Sequence, residues 1–240
     1  TDGGKDCGYD PLDDFVITVQ TDNSGTSNDD QFNIPTTGSG YNYNVDCDGN
    51  GTFETTGATG DVTCDYASAG SYTILIRDNA GDGSGFPRIY FNSGGDAQKL
   101  LTIDQWGTNT WTSMDSAFHG CSNMTGNFND APNLSGVTDL SDMFNGASLF
   151  NSDISTWDLD DVTNMSGMFN GAASFNQNIA AWNTNDVTDM SYLFAGATAF
   201  NQSLSTWAVS DVTTMSHMFD GASSFNQPLN TWNTRYVVSM

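Results

Sequence analysis

Basic residues are scarce in this sequence: five lysines and arginines stand against 29 acidic residues, which gives a formal net charge of −24. All the acidic residues except Glu54 are aspartates, and no lysine or arginine occurs between Lys99 and Arg235. A chain with this charge repels phosphate groups and anionic lipids, which excludes nucleic acid as a partner. It favours cations, calcium among them, as counterions or ligands.

Long apolar runs and catalytic motifs are also absent. No stretch approaches the ~18 consecutive apolar residues of a membrane-spanning helix, so we expect no membrane insertion within this chain. The two histidines, His119 and His217, lie far apart, and neither belongs to a nucleophile motif such as G-x-S-x-G. We therefore expect that the protein is not an enzyme.

The two ends of the sequence suggest a piece of a longer protein. The N-terminal residues Thr1, Asp2, Gly3 and Gly4 lack the basic and apolar regions of a signal peptide. The sequence also stops at Met240, partway through a repeat. We expect a longer parent protein.

Cysteine is limited to four residues, and their spacing forms no CxxC pair and no Cys/His cluster, which argues against a zinc site. Cys47 and Cys64 lie in similar Val-x-Cys-Asp contexts on two predicted strands, so we predict a disulfide between them. Because disulfides persist in oxidising surroundings, this pair indicates an extracellular protein. The pairing of Cys7 and Cys121 stays open.

Repetition dominates the C-terminal half of the sequence. Residues of one type recur at steps of 25 positions, and a degenerate copy precedes them at Trp111 with a step of 26, so the array begins near residue 98. A single unit cannot bury its apolar residues alone, whereas stacked copies align them into continuous ladders. The clearest columns are Val137, Val162, Val187 and Val212; Phe144, Phe169, Phe194 and Phe219; Phe150, Phe175, Phe200 and Phe225; and Trp157, Trp182, Trp207 and Trp232.

Each repeat is predicted to contain one helix and one short strand. Val187, Met190 and Phe194 fall on one helical stripe, and Gly196 follows as a stop signal. Residues 200–207 place apolar residues at wider spacing, which is typical of a short strand. The predicted fold is therefore an α/β solenoid of leucine-rich-repeat type, made of 25-residue helix–strand coils and capped by a small all-β sandwich domain.

The repeats resemble a known family. The segments DVTDMSYLFAGATAFNQSLSTW and DVTTMSHMFDGASSFNQPLNTW are similar to the BspA-type bacterial surface protein repeat, a divergent leucine-rich repeat, and SAFHGCSNM at residues 116–124 resembles the Ala-Phe-x-x-Cys core of related repeats. The resemblance covers about residues 98–240. It implies a cell-surface role in adhesion or ligand binding and does not name the ligand.

The segment before the repeats has a different pattern. Residues 15–97 contain short alternating apolar runs separated by Gly, Asn, Asp and Pro, which predicts an antiparallel β-sandwich that covers the first coil. The stretch from Tyr43 to Asp78 resembles a PKD-type immunoglobulin-like domain, most clearly in its Tyr-x-x-x-Gly-x-Tyr-Thr pattern. The predicted organisation is an N-terminal extension (1–14), a PKD-like domain (15–97) and a BspA-type solenoid (98–240).

One loop carries the spacing of a cation site. Asp46, Asp48 and Asn50 place oxygen ligands at alternate positions before Gly51, like the first half of a calcium loop. The twelfth position is Gly57, so a standard EF-hand is excluded. An Asx-rich hairpin turn explains the same residues without an ion, and both interpretations stay open. Calcium is the one candidate cofactor.

The residues between the buried columns of each repeat predict an outward polar, nearly uncharged face that suits peptide or glycan hydrogen bonding. The leading hypothesis is a non-catalytic adhesion or recognition module at the cell surface, with other surface or host proteins or glycans as partners. The alternative is a structural subunit of a homopolymeric filament or surface layer, in which copies of the chain bind each other. The predicted binding residues are Gln177, Asn178, Gln202, Ser203, Ser205, Thr206, Gln227 and Asn230.

Overall fold

A computed structural model describes residues 11–240 of the chain. Cys7 and most of the predicted N-terminal extension lie outside the described residues. The described chain has two parts in sequence: a region rich in strands up to about residue 105, and a series of stacked repeats that follows it.

The strands form two sheets. A six-stranded sheet has the order β4-β3-β6-β1-β7-β8, and β2 pairs with β5 in a separate two-stranded sheet. All neighbours pair antiparallel except β7 and β8, which are parallel. The bounds are β1 Phe15–Gln20, β2 Gln31–Ile34, β3 Tyr43–Asp46, β4 Thr55–Ala58, β5 Val62–Asp65, β6 Ser71–Asp78, β7 Leu100–Gln105 and β8 Thr125–Gly126.

Alternation of apolar and polar residues explains these strands. In β1, Phe15, Ile17 and Val19 are fully buried, whereas the residues between them are half-buried. Successive side chains of a strand point to opposite faces, so one face of β1 lies on the core. Ile74 and Ile76 of β6 supply the same buried face next to it.

A disulfide joins the two sheets. Cys47 directly follows β3 of the larger sheet, Cys64 lies in β5 of the smaller one, and their Cα atoms are 5.6 Å apart. The predicted Cys47–Cys64 disulfide is confirmed. It closes a loop with a sequence separation of 17 and links sheets that share no strand pairing.

The predicted α/β solenoid of helix–strand coils is wrong. Among residues 11–240 the helices are two three-residue 3₁₀ turns, Pro11–Asp13 and Ala97–Lys99, and the segments predicted as repeat helices are successions of turns. The predicted short strand at 200–207 is also absent, because these residues have no strand pairing. Each repeat is instead a coil of turns that meets the next coil through isolated parallel bridges, such as Asn164 with Asp189.

Hydrogen bonds between coils replace the predicted helix. In residues 187–196, the amides of Met190, Tyr192 and Phe194 donate to carbonyls of the following repeat, at 2.9–3.0 Å. In an α-helix the same amides would donate hydrogen bonds to carbonyls four residues earlier in the chain. The backbone of Tyr192 is also left-handed, with φ 56°, which a right-handed helix does not allow.

The core of the repeats is a set of aromatic ladders. Phe169 stacks on Phe194 of the next coil with ring centroids 5.8 Å apart, and within one coil it lies 4.0 Å from Phe175. Trp182 stacks on Trp207 at 6.3 Å, and the Trp182 Nε1 donates to the carbonyl of Ile154. The predicted stacking of like aromatic residues is therefore confirmed, although the backbone between them is not helical.

The strand region covers the first coil. The amides of Phe91, Asn92 and Ser93 donate to carbonyls of the coil that contains residues 116–119. Arg88 also pairs with Asp115 through Nη2 and Oδ2, at 2.7 Å. The predicted contact between the β-region and the first coil is confirmed, and it satisfies the backbone carbonyls at that end of the array.

Candidate functional site

The predicted polar face has a half-buried part and an exposed part. The Nε2 of Gln202 donates to both the side-chain Oδ1 and the main-chain carbonyl of Asn176, one coil earlier, at 3.0 Å each. Gln177 and Gln227 make the same pair of bonds to the preceding asparagine of the column, Asn151 and Asn201. These three glutamines are half-buried, and their Nε2 groups tie neighbouring coils together.

The exposed part is a row of small polar residues, which we call the polar row. Two of its hydroxyls, on Ser203 and Ser205, lie 3.1 Å apart, and the hydroxyl of Thr206 donates to the carbonyl of Ala180. These side chains stand on coils whose neighbouring residues are buried, so their backbone positions are fixed by the core. The polar row consists of Asn178, Ser203, Ser205, Thr206 and Asn230, all exposed.

The predicted calcium loop is folded by its own backbone amides. Asp46 is fully buried, and its two carboxylate oxygens accept bonds from the amides of residues 48–51, at 2.7–3.3 Å. Asn50 accepts a bond from the amide of Thr52, so it too acts within the turn. The Asx-rich turn predicted as the alternative is therefore present.

A third carboxylate belongs to the same loop. Oxygens of Asp46, Asp48 and Glu54 lie within 4.8 Å of one another, and Glu54 accepts a bond from the amide of Cys47. Glu54 falls outside the EF-hand spacing, so the sequence pattern did not select it as a ligand. Calcium binding by Asp46, Asp48 and Asn50 stays a prediction from the sequence.

A second loop repeats this design around Asp78, at the end of β6. Its carboxylate accepts five amide bonds from residues 80–85, at 2.6–2.9 Å. The hydrogen bond from the Ser84 hydroxyl lowers the pKa of the neighbouring Asp82. In both loops the carboxylate of one aspartate, Asp46 or Asp78, accepts several backbone amide bonds and so organises the turn.

Lys99 is a buried cation that the sequence pattern did not reveal. Lys99 is fully buried, and its Nζ donates to the carbonyls of Ser27, Asn28 and Gln31 and to the Ser27 hydroxyl, at 2.7–3.1 Å. Nearby Asp96 accepts four bonds from the same loop and from Asn33. Burial alone would raise the pKa of Asp96, but the bonds from Ser27 and Asn33 and the charge of Lys99 outweigh it and lower that pKa.

One column of the repeats combines backbone strain with exposure. Asp142, Gly167, Tyr192 and His217 occupy equivalent positions, and all have positive φ, between 53° and 63°. A non-glycine residue in this region costs roughly 1–2 kcal/mol. The Tyr192 and His217 rings nevertheless stack at 4.8 Å, and Tyr192 is 43% exposed. The sequence analysis placed these positions in the predicted repeat helices and assigned them no function.

A cavity lies at the last described coil. Its volume is about 650 Å³, and it is lined by Met218, Phe219, Leu229 and Trp232, among others. Met240 is 79% exposed at its rim.

The charge of the surface has one sign over the repeats. No lysine or arginine lies between Lys99 and Arg235, so basic side chains do not offset the aspartates there. Within residues 11–240, no helix has the length and apolar content that a bilayer crossing requires.

Comparison with known proteins identifies the repeats. A family model described as "Mycoplasma protein of unknown function, DUF285" matches residues 90–185 and, in a second overlapping match, residues 153–240. The two matches together span more than half of the chain. No curated protein and no solved structure shows significant similarity to it.

Proposed function

Because the chain belongs to the DUF285 family, we propose that it is a non-enzymatic recognition module of an extracellular cell-surface protein, and that it binds peptide or glycan through the polar row. The observation that carries this proposal is the division of the polar face. The glutamines are committed to bonds between coils, whereas Ser203, Ser205 and Asn230 stand exposed on the same face.

The chemistry of the polar row supports a hydrogen-bonding ligand. Its hydroxyl and amide groups both donate and accept hydrogen bonds, as sugar hydroxyls and peptide groups do. None of its members is charged, so binding there does not require an ionic ligand. The coils hold these groups at fixed spacing, which reduces the entropy lost on binding.

Two kinds of observation support a location at the cell surface. The Cys47–Cys64 disulfide favours an oxidising compartment. The resemblance of the repeats to BspA-type surface proteins, and the strongly acidic composition, favour an exposed soluble module over one that contacts nucleic acid or anionic membrane.

The test is binding of the full chain to arrays of glycans and peptides, with two variants matched in charge. Ser205→Arg places a large side chain in the polar row, whereas Asn185→Arg places the same side chain on an exposed turn outside it. We expect Ser205→Arg to lose the binding that the wild type shows, and Asn185→Arg to retain it. Equal binding by both variants contradicts the proposal, as does an array without any binding.

A homopolymeric structural subunit is the second candidate, and an unpaired strand edge favours it. Strand β4 pairs only with β3 within the described sheets, so it offers an edge for contact with another copy. Sedimentation velocity and electron microscopy of the full chain test this: polymers support the idea, and monomers at every concentration contradict it.

A further inference from the structure

Five Asn-x-Ser/Thr motifs, at which N-linked glycans are attached to exported proteins, occur in the chain. All of them lie within the described residues, so their surroundings can be compared. An N-linked glycan is bulky and hydrophilic, and it therefore requires an acceptor at the surface of the protein. The motifs begin at Asn50, Asn123, Asn133, Asn164 and Asn201.

The motif at Asn50 is exposed over its whole length. It lies in the loop between β3 and β4, and residues 48–52, which contain the motif and the two residues before it, are all exposed. In the other four motifs the middle side chain packs into the fold, which prevents a transferase from holding the whole motif. Those middle residues are Met124, Leu134 and Met165, which are buried, and Gln202, which is half-buried.

The side-chain amide of Asn50 presents its nitrogen to solvent. Its Oδ1 accepts a hydrogen bond from the amide of Thr52 at 2.8 Å, whereas its Nδ2 bonds to none of the described residues. The loop is also held from below, because the Asp46 carboxylate accepts the amide of Gly51 at 2.7 Å. Glycosylation replaces one hydrogen of Nδ2 and leaves Oδ1 as an acceptor, so this turn survives the modification.

Two of the other asparagines use the same nitrogen within the fold. Asn123 donates from Nδ2 to the carbonyl of Gln98 at 2.7 Å. Asn133 donates from Nδ2 to Thr110 Oγ1 at 3.3 Å. A sugar on either nitrogen would compete with these bonds for the same space.

The last two asparagines lie between stacked coils. Asn164 forms parallel bridges with Asp139 and Asp189, one on each side, and its side chain is half-buried. Asn201 is also half-buried, and its Oδ1 accepts the amide of Asn226 in the next coil. A glycan on either residue would crowd the neighbouring coils, so Asn50 is the motif that the folded chain offers.

We propose that Asn50 is the acceptor of an N-linked glycan, which an oligosaccharyltransferase transfers from a polyprenyl-diphosphate oligosaccharide during export. In this step Asn50 Nδ2 forms a bond to the anomeric carbon of the first sugar. The bond from that carbon to the diphosphate oxygen breaks, and the lipid diphosphate leaves with its electron pair. The proton lost from Nδ2 passes to a base of the transferase.

This inference goes beyond the proposed function, because Asn50 is not part of the polar row. The two share only the extracellular location, which the Cys47–Cys64 disulfide favours. Their failures are distinguishable, since one is measured as a modification of a single peptide and the other as binding to an array.

The experiment is glycan transfer to the folded full chain. The reagents are a single-subunit oligosaccharyltransferase that requires only Asn-x-Ser/Thr and a lipid-linked oligosaccharide, and mass spectrometry of peptides locates the glycan. Five synthetic peptides, each with one motif and its flanking residues, show what the transferase accepts without a fold. We expect the folded chain to gain one glycan, at Asn50, and the peptides with the other motifs to be modified as well.

Matched variants assign the glycan to this loop. Thr52→Ala removes the hydroxyl of the motif and keeps Asn50, so the glycan should be lost, and Thr52→Ser should restore it. Ser135→Ala removes the motif at Asn133 in the same way and should leave the mass shift of the folded chain unchanged.

The exported protein supplies the second measurement. Its Asn50 peptide should carry the glycan, and peptide N-glycosidase should remove it and convert Asn50 to aspartate. An unmodified Asn50 in the exported protein, no transfer to Asn50 in the folded chain, or equal transfer to another of the five motifs in that chain would overturn the proposal.

Discussion

The side-chain Oδ1 of Asn176 accepts two hydrogen bonds from the coil that follows it, one from the Gln202 side chain and one from the amide of Asn201. The same arrangement links Asn201 to Gln227 and Asn226. The interfaces that follow Asn151, Asn176 and Asn201 each contain one such asparagine side chain. The column combines with the aromatic ladders, which supply apolar contact without fixing the register of the backbone.

Replacement of Asn176 by alanine should destabilise the protein by about 2 kcal/mol, because it leaves the amide of Asn201 and one Gln202 donor without their partner. Asn226 is the matched control, since no described residue donates to its side chain. We expect Asn226→Ala to cost far less. Urea denaturation of the two variants measures the difference, and equal midpoints would show that the column contributes no stability.

Replacement of Gly196 by alanine should cost roughly 1–2 kcal/mol. The residue has φ 68°, and an added Cβ would lie 3.4 Å from the backbone of Gly171 in the preceding coil. Gly60 is the control, because nothing lies within 4 Å of a Cβ there and its φ is not positive. In thermal denaturation, Gly196→Ala should have a lower melting temperature than the wild type, and Gly60→Ala should not. An unchanged melting temperature of Gly196→Ala would mean that the coils are further apart than described.

The disulfide should contribute about 3 kcal/mol to stability, because it restricts the unfolded chain. The double variant Cys47→Ser, Cys64→Ser removes it and keeps the other residues. Denaturation of the wild type in reducing buffer should reproduce the midpoint of the double variant. If reduction changes nothing, the bond is absent in solution.

Cys121 is predicted to resist alkylation in the folded protein. The residue is fully buried in the first coil, and burial raises the pKa of its thiol well above the ordinary value, so little reactive thiolate forms. Mass spectrometry of the peptide that contains Cys121, after treatment with iodoacetamide with and without denaturant, checks this. Rapid labelling without denaturant would place Cys121 at the surface.

Stability should fall in acid through Asp96. Its folded pKa lies below the ordinary value of 3.8, so the carboxylate stabilises the folded state above that value and this contribution is lost as the pH falls below it. Comparison of Asp96→Asn with the wild type across this range gives the test. We expect the stability difference between them to be largest at neutral pH and to shrink in acid; a difference independent of pH contradicts the assignment.

The sequence predicted the elements whose signal lies in side-chain chemistry. The 25-residue period, the aromatic ladders and the Cys47–Cys64 pair follow from residue types and their spacing, and the structure contains all three. The polar face was predicted as one surface. In the structure its glutamines donate hydrogen bonds to the preceding coil, and the small polar residues are exposed. The spacing within one repeat does not show which side chains make bonds to a neighbouring coil.

The backbone of the repeats was not predictable from the apolar stripe alone. Val187, Met190 and Phe194 fit a helix and also fit a series of turns, because both bury residues three to four positions apart. The deciding factor is the neighbouring coil, whose carbonyls take the amides that a helix would use. The repeats also lack Glu, Lys and Arg up to Arg235, the exposed residues that favour helix formation.

The repeat position that Tyr192 occupies illustrates the same limit. Four residue types at one repeat position look like surface variation in the sequence, and only the positive φ shared by Asp142, Gly167 and Tyr192 marks the position as unusual. That backbone conformation follows from the turns, which the sequence did not reveal.

The hydrogen bond from the amide of Phe169 is the most direct measurement of how the repeats are built. In the structure this amide donates to the carbonyl of Leu193 in the next coil, at 3.0 Å. Scalar coupling across hydrogen bonds, measured by NMR on the isotope-labelled full chain, should connect the Phe169 nitrogen with the Leu193 carbonyl carbon. Coupling to the carbonyl of Met165, four residues earlier, would instead establish a helix and contradict the stacked turns described above.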